Sequence, residues 1–306
     1  MQTDLAPVVL FVYNRPWHTR QTLDALSRNE LADKSMLFIY SDGAPANATI
    51  KLRQSIEEVR KIIRENKWCS SVEIIERVSN LGLAESVISG ITEITKRFGK
   101  VIVLEDDLIT SIGFLKYMNA ALTLYRNENK VMHVSGYMLP VKSKLPETFF
   151  YNATSCWGWG TWLRAWENFN NNANQLMNEL QTSDRMNEYT LDFTNGFDQI
   201  LQDSIHMKND SWSAKWHTTV FLLNGFSLHP NKSLVRNIGH DQFGKHCKNG
   251  WWSEIYTKQK ISDLVSVEPT ELIESKIARK AIKEFYISLS RPPIWLKVKE
   301  KLKQLF

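Results

Sequence analysis

The amino-acid sequence predicts an α/β protein with a doubly wound, mostly parallel β-sheet. Short apolar runs alternate with helical patterns through the first half of the chain, and each apolar run ends in a polar turn. Strands separated by helices of this kind are typical of βαβ units and a parallel sheet. In addition, the apolar run of residues 101–104 leads directly into Glu105, Asp106 and Asp107. Because a buried strand ends there, the fold places three carboxylates at one edge of its sheet.

The elements follow one another in a regular order. The strands that we predict are short apolar runs, at residues 8–13, 36–40, 72–75, 101–104 and 131–134. The helices that we predict between them have apolar residues at helical spacing and cover about 16–31, 49–65, 84–97 and 114–125. From about Tyr151 this alternation fades.

The polar turns that follow the strands form a candidate ligand-binding cleft. In a parallel sheet they lie along one edge, where open α/β sheets bind their ligands. Arg15 suits a phosphate, and Asp42 suits a base or a ribose. Asn80 and Gly82 permit a tight turn and a close approach of the backbone. Taken singly, each of these residues is equally typical of an ordinary turn.

The three carboxylates predict a metal-diphosphate site. Adjacent carboxylates repel one another, and a buried charge without a partner is costly. Mg²⁺ and Mn²⁺ take oxygen ligands and often share them with substrate phosphates. The alternative is an acidic loop or a helix N-terminus, where carboxylates suit the helix dipole.

Composition excludes several classes of protein. A hydrophobic content of 43% and a charged content of 23% are ordinary for a globular chain. The sequence has no Gly-x-Gly-x-x-Gly after its first strand and no Walker-type motif, which disfavours dinucleotide dehydrogenases and P-loop enzymes. Cys69, Cys156 and Cys247 lack metal-ligand spacing and indicate reduced thiols. With no signal peptide and no membrane-spanning run, we expect a cytoplasmic protein.

Tryptophan dominates the second half of the chain. Eight of the 11 tryptophans lie between residues 157 and 252. A Trp side chain offers a flat apolar face and an N–H donor, which suits the faces and rims of sugar rings. Trp157, Trp159 and Trp162 are our candidates for a saccharide-binding wall. The alternative is a Trp-rich core that holds an irregular segment together.

The positive charge is concentrated at the C-terminal end. Residues 276–306 contain nine Lys or Arg and two Glu, whereas the rest of the chain is slightly acidic. Apolar residues at helical spacing form two stripes, at 277–289 and 294–305. Basic amphipathic helices suit anionic membrane surfaces, so we expect peripheral membrane association. The alternative is a terminal helix packed on its own domain, and nucleic acid is disfavoured as a partner.

We divide the chain into three parts on these grounds. Residues 1–135 form the α/β half with the candidate cleft, and residues 136–260 form the Trp-rich half of the same domain. Residues 261–306 form the basic amphipathic tail.

The ordered motifs resemble a known family. Residues 8–16 are similar to the first strand and the Tyr-Asn-Arg turn of family 2-like glycosyltransferases with the GT-A fold, which include bacterial surface-polysaccharide sugar transferases. Asp42-Gly43, Asn80-x-Gly82 and the three carboxylates follow in that family's order. The carboxylates are also similar to the metal motif of animal N-acetylglucosaminyltransferase I. The resemblance extends over about residues 8–246. It implies nucleotide-sugar binding by the first half of the domain and acceptor binding and catalysis by the second.

The resemblance implies roles for individual residues. Asp107 would bind Mn²⁺ or Mg²⁺, together with His246 from a late polar loop that also contains Asp241. Glu105 and Asp106 would face the ribose or the waters of the metal. The remaining donor-binding residues would border the nucleotide, and they are Tyr13, Asn14, Arg15, Asp42, Asn80 and Gly82.

The general base does not follow directly from the resemblance. Several relatives have an acidic residue after the tryptophan at position 212, but this chain has Ser213 there. Inverting transferases need a carboxylate to accept the proton of the acceptor hydroxyl. We therefore nominate Asp210 as the base and Asp198 as the second candidate.

The combined interpretation is a metal-dependent inverting glycosyltransferase, either a hexosyl- or an N-acetylhexosaminyltransferase. It would use a nucleoside-diphosphate sugar, with UDP expected, and a saccharide acceptor carried on a lipid at the inner face of the cell membrane, in surface polysaccharide synthesis. Two alternatives remain open. They are a sugar-nucleotide pyrophosphorylase and a non-catalytic, membrane-associated saccharide-binding protein.

Overall fold

The computed structural model describes residues 4–240 and 253–289. The strands of these residues, in chain order, are β1 Val8–Val12, β2 Met36–Ser41, β3 Ser71–Glu76, β4 Lys100–Glu105, β5 Leu108–Thr110, β6 Val131–Ser135, β7 Thr148–Tyr151, β8 Trp159–Trp162, β9 Phe226–Pro230 and β10 Val235–Asn237. The helices are α1 Pro16–Ser27, α2 Ile50–Ile62, α3 Leu83–Phe98, α4 Phe114–Leu124, α5 Leu163–Trp166, α6 Ala173–Thr182, α7 Met186–Tyr189, α8 Phe197–Ile205, α9 Trp212–Leu222, α10 Ser253–Thr257 and α11 Lys276–Leu289.

The main sheet has eight strands in the order β3-β2-β1-β4-β8-β6-β9-β7. Strands β3, β2, β1 and β4 run parallel, and β6 and β9 are a second parallel pair. β8 lies antiparallel between β4 and β6, and β7 is antiparallel to β9. The predicted α/β class with a mostly parallel sheet is therefore confirmed.

Strand β1 shows why the centre of the sheet is stable. All five of its residues are buried, because both faces of the strand are covered by helices. Leu10 packs in the core on one face, and Val9 packs in the core on the other. Alternate residues of a strand point to opposite faces, so an unbroken apolar run suits a strand covered on both sides.

The five predicted strands are present, whereas five further strands were missed. The missed strands are β5, β7, β8, β9 and β10. The most consequential is β8, which lies in the middle of the sheet and pairs Trp159 with Val103 of β4. A pairing between segments so distant in sequence leaves no local pattern in either of them.

The ends of the helices follow the local sequence. Pro16 occupies the first turn of α1, where its missing N–H costs nothing, so the helix begins directly after the β1 turn. The Thr49 hydroxyl accepts a hydrogen bond from the Leu52 N–H and caps α2. Gly99 ends α3 in the left-handed conformation, with φ of 77°. Pro16 and Thr49 therefore begin α1 and α2 after the turns that follow β1 and β2, and Gly99 ends α3 directly before β4.

A small second sheet brings the late polar loop to this edge. β10 pairs antiparallel with β5, which directly follows the three carboxylates, and Asn237 lies opposite Leu108. The Ile238 N–H donates to the Asp107 carbonyl over 2.9 Å. Residues 237–240 are thereby placed against the end of β4.

The first part of the basic tail packs on the domain. Helix α11 buries Ala278, Ala281 and Ile282 in a cluster with Phe149 and Tyr151. The second amphipathic stretch, residues 294–305, lies outside the described residues. Among the helices of residues 4–240 and 253–289, none combines the length and the apolar character that a bilayer crossing requires. The division into three parts stays a prediction.

Candidate functional site

Glu105, Asp106 and Asp107, here called the acidic triplet, lie beside Arg15. The Arg15 Nη1 atom is 2.7 Å from Asp107 Oδ2 and 3.7 Å from Asp106 Oδ1. Arg15 belongs to the β1–α1 turn and the triplet ends β4, and the two strands are parallel neighbours. The structure therefore brings together two groups of residues that are 92 positions apart in the sequence.

The triplet carries more negative charge than Arg15 balances. Burial raises the pKa of Glu105, and repulsion from Asp107 and Asp106 raises it further. The pKa of Asp106 is raised by burial and by Asp107, whereas Arg15 and the backbone of Tyr13 oppose the shift. Both shifts come first from burial and then from repulsion within the triplet, so a bound cation would favour the charged forms of these carboxyl groups.

Asp42 organises the neighbouring loop. Its carboxylate accepts hydrogen bonds from the N–H groups of Gly43, Leu81 and Gly82 and from the Asn80 amide, over 2.8 to 3.0 Å. These bonds join the β2 turn to the β3–α3 loop, in which Gly82 has φ of 81°. Asp42 therefore shapes the loop directly, and a role for it in base recognition stays a prediction.

Gly239 is in close contact with the triplet. A Cβ atom at this position would lie 2.0 Å from Asp107 Oδ2 and 3.1 Å from Arg15 Nη1. The Gly239 carbonyl also accepts a hydrogen bond from Arg15 Nη2 over 3.4 Å. Only glycine fits here without displacing the carboxylate.

His240 connects the triplet to an aromatic wall. Its ring lies edge-to-face against Trp157, with centroids 5.2 Å apart, and stacks on Tyr256 at 5.0 Å. Burial lowers the pKa of His240, and Asp107 opposes that shift. We did not single out Gly239 or His240 from the sequence, although both lie in the polar loop that we noted for its histidines. Their position depends on the β5–β10 pairing.

A cavity of about 760 Å³ lies on the other side of His240 and Trp157. Its lining residues come from the turn after β6, from β7 and the segment that follows it, and from helices α8, α9, α10 and α11. We call it the aromatic cavity because tyrosine, tryptophan, phenylalanine and histidine side chains dominate its wall. The triplet and the aromatic cavity are therefore neighbours, because Gly239 lies against Asp107 and His240 lines the cavity.

Of the three tryptophans predicted to bind saccharide, only Trp157 lines the cavity. Trp159 is fully buried and packs against Trp166, Trp212 and Trp216. Trp162 is also buried, and its Nε1–H donates to the Leu122 carbonyl. The prediction was wrong for Trp159 and Trp162, because both belong to the central strand β8 and cover its two faces.

The predicted general bases lie apart from the cavity wall. The Asp210 side chain is 72% exposed and pairs with Lys215 Nζ at 2.9 Å. Asp198 lies in the first turn of α8 and is half-buried. Neither is among the described residues that line the cavity. Their assignment as bases stays a prediction, and His246 and Asp241 lie outside the described residues.

The acidic triplet suits a metal that shares its ligands with a phosphate. In the described part of the chain, no three His, Cys, Asp or Glu side chains are arranged to hold an ion by themselves. Mg²⁺ is commonly bound through one or two carboxylates plus substrate phosphates and water. Asp107 and Asp106 supply such oxygens, and their excess charge fits a divalent cation. A metal bound at Asp107 would compete with Arg15 for this carboxylate.

No protein-family model matches the chain, and no curated protein matches its sequence. Solved structures align with parts of it. S. aureus TarS is 15% identical over 47% of this chain and 24% of its own, with a TM-score of 0.30. Mouse xyloside xylosyltransferase 1 in its apo form is 9% identical over 71% of this chain and 81% of its own, with a TM-score of 0.36. WbbM, a bifunctional glycosyltransferase, is 9% identical over 44% and 23%, with a TM-score of 0.27.

This chain therefore spans about a quarter of the lengths of TarS and WbbM. Structural similarities with TM-scores this low do not support a functional assignment. The function has to be inferred from the site itself. The site combines one cation, three carboxylates and a backbone loop at a sheet edge with an adjoining aromatic cavity. With a divalent cation bound at the triplet, such an arrangement could hold an anionic phosphate group beside a second, largely uncharged molecule.

Proposed function

We propose that the chain is a metal-dependent inverting glycosyltransferase. It takes a hexosyl or N-acetylhexosaminyl group from a nucleoside-diphosphate sugar, with UDP as the expected nucleotide, and transfers it to a hydroxyl of a saccharide acceptor. The observation that carries this proposal is that two consecutive residues link the acidic triplet to the aromatic cavity: Gly239 lies against Asp107, and His240 lines the cavity beside Trp157. A transfer between two sugars requires that the phosphate site and the saccharide site lie next to each other.

The donor half of the proposal depends on the sheet edge. Arg15 supplies a cation for the diphosphate, and the loop that Asp42 organises borders the nucleotide. Tyr13 and Asn14 lie in the same turn as Arg15, and Asn80 and Gly82 lie in the loop itself. Bound at Asp107 and Asp106, Mn²⁺ or Mg²⁺ would neutralise the negative charge that develops on the departing diphosphate.

The transfer step needs a base from this chain. The acceptor oxygen forms a bond to the anomeric carbon, the bond from that carbon to the phosphate oxygen breaks, and the acceptor proton passes to a carboxylate. We propose Asp210 for this role and Asp198 as the second candidate. Because Lys215 pairs with Asp210, the carboxylate has to leave that partner to accept a proton.

The charge of the basic tail supports a proposal about where the enzyme acts and how its acceptor is carried. We propose that residues 290–306, together with the exposed face of α11, bind an anionic membrane and that the acceptor saccharide is carried on a lipid there. The enzyme would then act in surface polysaccharide synthesis at the inner face of the cell membrane.

A non-catalytic saccharide-binding protein is the second candidate function. One observation favours it: none of the described residues that line the cavity is acidic, so a base must come from elsewhere. A binding protein of this kind would hold sugars without needing a metal and would not consume a donor.

A donor-hydrolysis screen tests the proposal. The chain is incubated with Mn²⁺ and with UDP-, GDP- and TDP-linked sugars, and the release of free nucleoside diphosphate is measured. We expect release from at least one UDP-sugar, and loss of that release in Asp107→Asn. Asp203→Asn is the matched control, because Asp203 is an aspartate of α8 with a lysine partner and no contact with the triplet. Absence of release from every donor would favour the binding protein.

A further inference from the structure

The aromatic cavity has a wall of mixed character. Rings such as those of Trp157, Phe197 and Tyr286 give it flat apolar faces, and side chains such as Ser155 and Asn195 add hydroxyl and amide groups. Among the described residues of this wall there is no Lys, Arg, Asp or Glu. Flat rings combined with uncharged polar groups are the surfaces that suit the faces and hydroxyls of a sugar ring.

His217 on α9 contributes a hydrogen-bond donor to the cavity wall. The contact made by its Nδ1 atom determines which ring nitrogen carries the proton. Its Nδ1 atom accepts a hydrogen bond from the Thr154 N–H over 3.2 Å. A neutral imidazole that accepts at Nδ1 carries its proton at Nε2. The Nε2 atom of His217 is buried and has no hydrogen-bond partner among the described residues. A buried donor without a partner is costly, which indicates that a ligand satisfies it.

The orientation of the His217 ring is set by its neighbours. The ring stacks on Tyr189 with centroids 5.0 Å apart, and Phe197 lies edge-on to it at 4.5 Å. Held between two rings and anchored at Nδ1, the imidazole cannot turn to find another partner. Its donor is therefore preorganised for a ligand in the cavity.

Tyr137 presents a second group of the same kind. Its side chain lines the cavity and is buried, and its hydroxyl also lacks a hydrogen-bond partner within the described part of the chain. The ring lies against Trp157, with centroids 4.6 Å apart. A hydroxyl group both donates and accepts, so it can match a sugar hydroxyl in either sense.

The surroundings of the cavity disfavour charge. Burial lowers the pKa of His217 to about 3 and that of His229, which also lines the cavity, to about 4. An environment that keeps two imidazoles neutral also penalises a carboxylate, sulfate or phosphate on a ligand. A purely apolar chain fits poorly as well, because it would leave His217 Nε2 and the Tyr137 hydroxyl without partners.

We propose that the aromatic cavity binds an uncharged saccharide unit, recognised by the Nε2–H donor of His217 and the hydroxyl of Tyr137 against the ring of Trp157. This inference rests on the proposed function and narrows it: the acceptor sugar is neutral, and His217 is a specificity-determining residue. The mouth of the cavity at His240 then places an acceptor hydroxyl beside the triplet.

Two amide variants of His217 separate the roles of its two imidazole nitrogens, because each amide can occupy the position of one of them. In His217→Asn the side-chain oxygen can replace Nδ1 and accept from Thr154, but the Nε2–H donor is lost. In His217→Gln the side-chain amide can replace the Nε2–H donor. Tyr137→Phe removes the second group without changing the ring. His206→Asn is the control, because His206 is exposed at the end of α8.

Binding is measured by saturation-transfer NMR without any nucleotide present. The probes are the methyl glycosides of glucose, galactose, mannose and N-acetylglucosamine, with methyl glucuronide as the charged probe and octanol as the apolar one. We expect at least one neutral glycoside to bind. Its affinity should fall roughly tenfold in His217→Asn and several-fold in Tyr137→Phe, as expected for the loss of one buried hydrogen bond, and should be retained in His217→Gln and His206→Asn. Circular dichroism checks that each variant is folded.

Three results would overturn the inference. These are binding of no neutral glycoside, binding of methyl glucuronide as tight as that of methyl glucoside, and binding of octanol in place of the glycosides. If a variant of His217 does not fold, binding by Tyr137→Phe and by the unaltered chain tests the inference.

A separate calorimetric titration with UDP and Mn²⁺ keeps the two proposals apart. If UDP binds but no neutral glycoside does, this inference fails and the proposed transferase stands. If a neutral glycoside binds through His217 while UDP does not, the cavity assignment stands and the transferase fails.

Discussion

Arg15 and Asp107 form an ion pair at the edge of the sheet, with Arg15 Nη1 and Asp107 Oδ2 2.7 Å apart. Arg15 ends the turn after β1, and Asp107 follows β4, so the parallel pairing of these two strands sets the contact. Burial raises the pKa values of Glu105 and Asp106, repulsion from Asp107 raises them further, and Arg15 opposes both shifts. The burial and mutual repulsion of these carboxyl groups cost the folded protein some stability.

Asp107→Asn tests this arrangement. The variant removes one negative charge and relieves the repulsion on Glu105 and Asp106, so we expect the free energy of unfolding to stay within about 1 kcal/mol of the unaltered value or to rise. Affinity for UDP in the presence of Mn²⁺ should fall at least about tenfold, which corresponds to about 1.4 kcal/mol. Thermal unfolding and calorimetry measure the two effects.

The control for this variant is Asp203→Asn, which should alter neither quantity. A variant at Asp107 that loses stability but retains full affinity for UDP would show that the carboxylate is only structural.

Gly239→Ala tests the contact between the late loop and the triplet. The added Cβ would lie 2.0 Å from Asp107 Oδ2, so the carboxylate or the loop has to move. We expect the affinity for UDP with Mn²⁺ to fall while the circular dichroism spectrum is unchanged.

Gly99→Ala is the matched control for this substitution. Gly99 has φ of 77° and open space where a Cβ would lie, so alanine there strains the backbone without touching the site. It should lower the free energy of unfolding by about 1 kcal/mol and leave the affinity for UDP unchanged. If the two variants affect UDP equally, Gly239 has no special role.

The buried histidines predict a loss of stability in acid. Burial lowers the pKa of His229 to about 4, below the value of about 6.5 expected in the unfolded chain. Between these two pH values the unfolded chain binds one more proton at this residue, so the stability from neutral His229 is complete above pH about 6.5 and falls with decreasing pH. Each such group contributes a slope of about 1.4 kcal/mol per pH unit.

His229→Gln should remove one such contribution, because its side-chain amide can still donate to the Ala153 carbonyl but does not titrate. Urea unfolding between pH 4.5 and 6.5, a range set roughly by these two pKa values, measures the slope. His206→Gln, at an exposed position, serves as the control. An unchanged slope in His229→Gln would mean that His229 is already charged in the folded protein.

The four lysines near the C-terminus test membrane association. Lys297, Lys299, Lys301 and Lys303 are substituted together by Gln; they lie outside the described residues, and the described packing of α11 comes from Ala278, Ala281 and Ile282. Each basic residue near an anionic surface contributes about 1 kcal/mol, so the combined variant should bind phosphatidylserine vesicles up to about a thousandfold more weakly.

Four exposed lysines elsewhere provide a control with the same change of charge, namely Lys51, Lys61, Lys67 and Lys96. Vesicle sedimentation compares the two variants. Equal partitioning of both would mean that the tail does not bind the membrane.

The sequence predicted the parts of the fold that local patterns encode. The apolar runs of β1, β2 and β4 have no polar residue at alternate positions, which is typical of strands covered on both faces, and the structure confirms them. The same reasoning placed Arg15 and Asp107 at one edge, because parallel strands end together.

The parts that were missed depend on pairing between distant segments. Trp159 and Trp162 are in the core because β8 enters the sheet beside β4, and nothing in residues 157–162 indicates which strand is their neighbour. His240 reaches Asp107 through the β5–β10 pair, whose strands are only three residues long. His217 lies in a helix that is buried on nearly all sides, so helical spacing did not distinguish it from packing residues.

Calorimetric titration of the unaltered chain with UDP, first with Mn²⁺ and then with an excess of chelator, tests the central claim most directly. If the triplet holds a divalent cation that in turn holds a diphosphate, binding should be readily measured with Mn²⁺ and should weaken at least about tenfold with chelator. Equal affinity in the two titrations, or no binding in either, would contradict the account.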